Sequence, residues 1–151
     1  MAETSFEDAW FSNCKSGYLD DIIQLVSSKK ISIDSSDHLG NTGLHYASNA
    51  GHTAVVEAII KAGANINAQN KHGDTPLHKA AGRNRLDTVK FLVKNKANID
   101  IVNVDKERAI DITNNQEIKN ELLPVVEFED DDSEEDKKDD SDYDSEEEGD
   151  D

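Results

Sequence analysis

A chain of 151 residues with a formal net charge of −17 and a single cysteine is sized for one folded domain and can form no internal disulfide. Its acidity argues against a nucleic-acid binder, which needs a basic surface, and no apolar run approaches the ~20 residues that cross a bilayer. The opening MAETSFEDAWF is acidic and lacks the basic flank and apolar core of a secretory signal, so cytoplasm or nucleus is the expected location.

From the N-terminus, Cys14-Lys15-Ser16-Gly17-Tyr18 reads as the end of a helix, and Ile22, Ile23, Leu25 and Val26 supply an apolar stripe for a second one. Residues Asp37 to Gln69 then read DHLGNTGLHYASNAGHTAVVEAIIKAGANINAQ, and Asn70 to Val102 read NKHGDTPLHKAAGRNRLDTVKFLVKNKANIDIV. The two align at an offset of 33 residues: Gly40 with Gly73, Thr42 with Thr75, Leu44-His45 with Leu77-His78, and Val56 with Val89. A fixed period in this range marks a stacked-repeat architecture.

Each copy opens with a glycine turn, after which Thr42 or Thr75 can cap a short first helix; Pro76 suits the first helical position. Val55, Val56, Ile59 and Ile60 place one buried face on a second helix, which Gly63 stops. Downstream, Ala109-Ile110-Asp111-Ile112 takes the place of Pro76-Leu77-His78-Lys79, and Ile118, Leu122 and Leu123 offer a last stripe that Pro124 closes. The pattern predicts an all-α solenoid of eight helices or slightly fewer within residues 1–126. Its units are about 5–36, 37–69, 70–102 and 103–126, the two inner ones complete and the outer two degenerate caps.

The residues Gly40-x-Thr42-x-Leu44-His45-x-Ala47, Gly51-His52, Val55-Val56 and Gly63-Ala64-x-Ile66-Asn67 resemble the ankyrin-repeat family, as do Gly73-x-Thr75-Pro76-Leu77-His78-x-Ala80-Ala81. The resemblance implies a protein-binding module without catalysis or cofactor. It also implies that His45 and His78 are structural, bonding backbone groups between repeats. Within the family, NKHGDTPLHKAA and NVDKERAIDIT look most like the ankyrin part of osteoclast-stimulating factor, though partners reached through that protein's SH3 module are not expected here. A looser likeness, of architecture, is to small acidic-tailed ankyrin chaperones of ribosomal proteins.

Charge divides the chain at residue 126. Residues 1–126 carry 16 acidic and 14 basic side chains, and residues 127–151 carry 17 and 2, a net of −15. With Phe128 and Tyr143 as its only aromatics and no aliphatic stripe, the segment 127–151 is expected to be disordered. Ser133, Ser141 and Ser145 each precede an acid by three residues and are candidate sites for an acidophilic kinase. Asp140, Asp142 and Asp144 begin with calcium-loop spacing, but Ser145 stands where that loop needs glycine, so no metal site is expected.

In the ankyrin family the turns and the inner face of each first helix form a concave binding surface. Carried over by position, the partner-binding candidates are His38, Leu39, Asn41, Tyr46 and Asn49 in the second unit. In the third they are Lys71, His72, Asp74, Lys79 and Arg83, and in the fourth Val104, Asp105 and Glu107. Cys14 falls in a slot for a small buried side chain and is expected to be inert. Two function classes follow. One is a monomeric adaptor gripping a protein on its concave face; the other is an escort for a basic client such as a ribosomal protein or histone, whose acidic tail mimics nucleic acid.

Overall fold

The computed structural model of the chain describes residues 5–123. Within them run α1 (Phe6–Ser16), α2 (Leu19–Ser28), α3 (Gly43–Ala50), α4 (Thr53–Lys61), α5 (Pro76–Gly82), α6 (Leu86–Lys94), a 3-10 turn (Ala109–Ile112) and α7 (Gln116–Glu121). Among the described residues there is no strand, only an isolated bridge between Ser36 and Thr42. The acidic segment 127–151, with its candidate kinase serines and calcium-like spacing, and the helix-ending role given to Pro124 lie outside the described residues.

The helices form two rows. α1, α3, α5 and the 3-10 turn pack side by side in an inner row, and α2, α4, α6 and α7 in an outer one. One core runs between the rows: Trp10 and Ile22 at one end, Leu44, Val56, Ile59, Leu77, Val89 and Leu92 along the middle, Ile118 and Leu122 at the other. Among the described residues no helix exceeds 11 residues, too short for stability in isolation, so burial between rows is what holds each one.

The inner-row helices begin alike. Thr42 and Thr75 each accept the N–H of the residue three on, His45 or His78, and that histidine's Nδ1 accepts the threonine N–H in return. This is a reciprocal cap in which a ring nitrogen does the work of the usual carboxylate. In the fourth unit Arg108 and Asp111 take these places, Asp111 accepting the Arg108 N–H at 2.8 Å. Only a four-residue 3-10 turn follows, where a helix stands in the other units.

The first unit is shifted by one residue against the rest. Gly17 and Gly51 close α1 and α3 with φ of 80° and 79° and stand 34 positions apart. Ile22 is therefore fully buried, whereas Ile23, counted in the apolar stripe from sequence, is 47% exposed. Leu123 likewise leaves its predicted stripe and is 54% exposed. Gly43 has a size reason: a Cβ there would come within 2.5 Å of Trp10 Nε1 and 2.8 Å of Cys14 Sγ. The indole fills space that the third unit gives to Pro76. Cys14 is fully buried, and burial pushes its thiol up to about 12.

Candidate interaction face on the inner row

Three turns are built on one plan. Asp37, Asn70 and Asn103 each open a turn, and the side-chain oxygen of each accepts two backbone N–H groups of its own turn, at 2.9–3.0 Å. Adjacent turns are joined through the backbone, the Lys71 N–H donating to the Leu39 carbonyl (3.0 Å) and the Val104 N–H to the His72 carbonyl (2.9 Å). A Cβ on Gly40 would lie 2.8 Å from the Lys71 nitrogen, so glycine is needed for this approach as well as for its φ of 79°.

Side chains tighten the same joints. The Asn70 amide donates to Asn41 Oδ1 at 2.8 Å, and the Asn103 amide to Asp74 Oδ1 at 3.0 Å. His45 Nε2 donates to the Asp74 carbonyl and His78 Nε2 to the Glu107 carbonyl, both at 2.8 Å. A carbonyl can only accept, so Nε2 carries the proton and Nδ1 is left to accept from the threonine. Burial holds His45 below its ordinary pKa and outweighs the Asp74 carbonyl, which favours the protonated ring.

Arg85 and His52 make a third set of joints. Arg85 Nε donates to the Asn49 carbonyl (3.1 Å) and His52 Nε2 to the Lys15 carbonyl (3.0 Å), each satisfying the C-terminal end of the preceding inner helix.

With the scaffold accounted for, the predicted contact residues separate. Asn41 (7% exposed) and Asp74 have their side chains engaged in the inter-turn joints. His38, Leu39, Lys71, His72 and Arg83 are exposed, Leu39 at 52%, and His72 Nε2 lies 3.0 Å from Asp105. Asn41, Tyr46, Asn49 and Lys79 are brought together, with His45, around a cleft of about 80 Å³ on the inner row. Val104 is 63% exposed at the turn tips, beside Asp105 and the half-buried Glu107.

Tyr46 is the best-fixed side chain of this face. Its hydroxyl donates to Asp37 Oδ2, its ring meets Phe11 edge-on at 5.8 Å, and Lys15 Nζ sits 4.6 Å over the ring centroid. Burial and the Asp37 acceptor both raise the phenol pKa. For Asp37, burial alone would raise the carboxyl, but the bonds from Tyr46 and the turn amides prevail and hold it below the usual range. Phe11 and Lys15 are absent from the sequence-derived candidates; the signal for them was an aromatic and a cation four residues apart on a first-row helix.

Two apolar stripes per unit, turns stacked by backbone bonds and threonine–histidine caps reaching the next turn are repeat features, and the family described as ankyrin repeats matches residues 11–103 in three copies. The chain belongs to the ankyrin-repeat family. Ankyrin repeats are a protein–protein interaction module and typically non-catalytic, which makes other proteins the partner class for this ankyrin-repeat chain. No curated protein matches it. The fourth unit lies beyond the matched span from Val104 on. Among the described residues no group of three or more His, Cys, Asp or Glu could hold a metal ion, and no helix is long and apolar enough to cross a membrane.

Proposed function

We propose that this ankyrin-repeat chain is a monomeric adaptor of the cytoplasm or nucleus that grips a protein partner on its inner row. The observation that carries the reading is Tyr46, an aromatic fixed by Phe11, Lys15 and Asp37 at the mouth of a cleft. An aromatic side chain immobilised before binding loses little entropy on contact, which is what an interface anchor requires. Lys79 on α5 lines the same cleft, and the exposed Arg83 that caps α5 and Leu39 at the turn tip add a cation and an apolar side chain to the face. Asn41 and Asp74 support the turns that place them.

Tyr46→Ala and Arg83→Ala should each cost at least about 1 kcal/mol of binding while the chain stays folded. Unchanged affinity of the double variant for every identified partner sinks the reading. The net −15 of residues 127–151 supports a second one, an escort for a basic client, and the likeness to acidic-tailed ankyrin chaperones fits it. The adaptor reading leans on the likeness to the ankyrin part of osteoclast-stimulating factor. Only the escort loses its client when residues 127–151 are removed.

A further inference from the structure

We infer that the inner face around Tyr46 and the third unit docks this chain's own acidic segment 127–151, which masks the face from partners until it is displaced. The inference rests on the reading of the inner row as the binding face and adds an occupant to it.

Charge is distributed unevenly along the stack. Residues 70–102 carry seven basic and three acidic side chains, a net of +4, whereas residues 5–36, 37–69 and 103–126 are net −2, −1 and −2. On the inner face the nearby carboxylates are already engaged. Asp37 accepts from two turn amides and from Tyr46, and Asp74 accepts from Asn103 and reaches Lys79 only at 3.9 Å. Among the described residues no carboxylate lies within 4.0 Å of the Lys15 or Arg83 head group. Lys15 over the Tyr46 ring and Lys79 in the cleft beside it flank the aromatic pair Phe11–Tyr46, and Arg83 stands exposed one turn beyond Lys79. Lys15 and Arg83 carry charge that no carboxylate among the described residues pairs with, a surface that suits acidic chain interspersed with aromatic side chains.

The chain supplies such a segment. Residues 127–151 hold 17 acidic side chains with Phe128 and Tyr143 among them. The last described residue, Leu123, follows α7, which packs on α6 of the third unit. Twenty-eight further residues, at ~3.3 Å each when extended, reach ~90 Å, and the inner row of the same unit lies one helix layer away. A tethered segment presents itself at an effective concentration of order mM, so even weak charge pairing keeps the face occupied at low salt. Lys90 and Lys94 on α6 are the rival cations, but Asp87 shares their helix face and, among the described residues, no aromatic pair lies beside them.

A nitroxide attached at Ser141→Cys in the full chain tests this directly, because Cys14 is fully buried and stays unlabelled. At about 0.01 M ionic strength, where charge is felt over ~30 Å, the amide signals of Lys15, Tyr46, Lys79 and Arg83 should lose about half their intensity or more. They should recover by about 1 M, where the range is ~3 Å, while α4 amides stay unaffected throughout. Lys79→Glu with Arg83→Glu should abolish the broadening, and Lys15→Gln with Arg83→Gln gives the same answer without disturbing the Asp74 contact. Absent broadening, equal broadening of inner and outer rows, or survival in both variants overturns the inference. So does broadening that appears only when labelled chain is mixed with isotope-labelled chain, which marks contact between molecules. No partner is present in the sample, so failure of the adaptor reading leaves these signals untouched.

Discussion

The third and fourth units of the stack have the same turn and opposite surroundings. In the third, Thr75 and His78 cap α5, and the far nitrogen of His78 reaches the Glu107 carbonyl of the next turn. In the fourth, Arg108 and Asp111 make the cap, and both Asp111 oxygens bond back to Arg108. The turn itself is retained, Asn103 bonding its own amides as Asn70 does. What changes is the part of the unit that would meet a successor. The residues that recur between copies are thus those that form joints, and a unit with one neighbour keeps one set of them.

The largest test of that difference is in the core. Leu77 is 1% exposed between two neighbours, and Leu77→Ala should destabilise by roughly 2–5 kcal/mol. Ile110, its counterpart in the fourth unit, is only half-buried, so Ile110→Ala should cost clearly less in the same urea titration. Equal losses would show that the fourth unit is packed as an interior repeat.

Next come the joints. His78→Ala strands the Glu107 carbonyl and the buried Thr75 N–H, each worth about 1–3 kcal/mol when left unpaired. Asp111→Ala removes an exposed cap and should shift the unfolding midpoint far less.

A smaller effect is set by pH. Burial holds His45 below its ordinary 6.5, so the unfolded chain binds a proton there that the folded chain resists. Its contribution is complete above pH 6.5 and is lost as pH falls below it, toward the folded-state value. Between about pH 7 and 5 the urea midpoint should fall more for the natural chain than for His45→Gln. Parallel curves would place the ring in water.

The smallest change expected is a gain. Lys106 holds the turn position that Gly40 and Gly73 hold, at φ 63°. Left-handed backbone costs an L-residue about 1–2 kcal/mol, and glycine's extra freedom returns about 0.5–1 of the relief, so Lys106→Gly should stabilise by up to about 1 kcal/mol. The reverse change, Gly73→Lys, should destabilise, because its Cβ would stand 3.0 Å from the Asn103 Cα.

The period and the caps were legible in the sequence because they repeat. The threonine, the histidine three residues on and the paired apolar residues are local choices made twice at one spacing, and both copies fold alike. Ile23 was misread because a period of 33 was carried into a unit whose first helix ends 34 residues before its counterpart. Asn41 and Asp74 read as contact residues by position, but each accepts a bond from the asparagine 29 residues on, and that pairing exists only once the turns stack. Phe11 and Lys15 joined the site for the same reason, as no spacing within one unit reveals what stands across the row.

Asp37 has a consequence for how such a chain changes length. It opens its turn as Asn70 and Asn103 do, yet it lacks the amide group with which those two reach back, and Asp111 lacks the ring with which a histidine reaches forward. Between these two terminators each joint pairs a forward-reaching histidine with a turn carbonyl and a backward-reaching asparagine amide with a side-chain oxygen. A duplicated copy of residues 70–102 spliced in after Val102 would meet a forward-reaching His78 behind it and a backward-reaching Asn103 ahead. The interior behaves as a head-to-tail polymer of matching ends, one that can grow by whole copies without a new interface being invented.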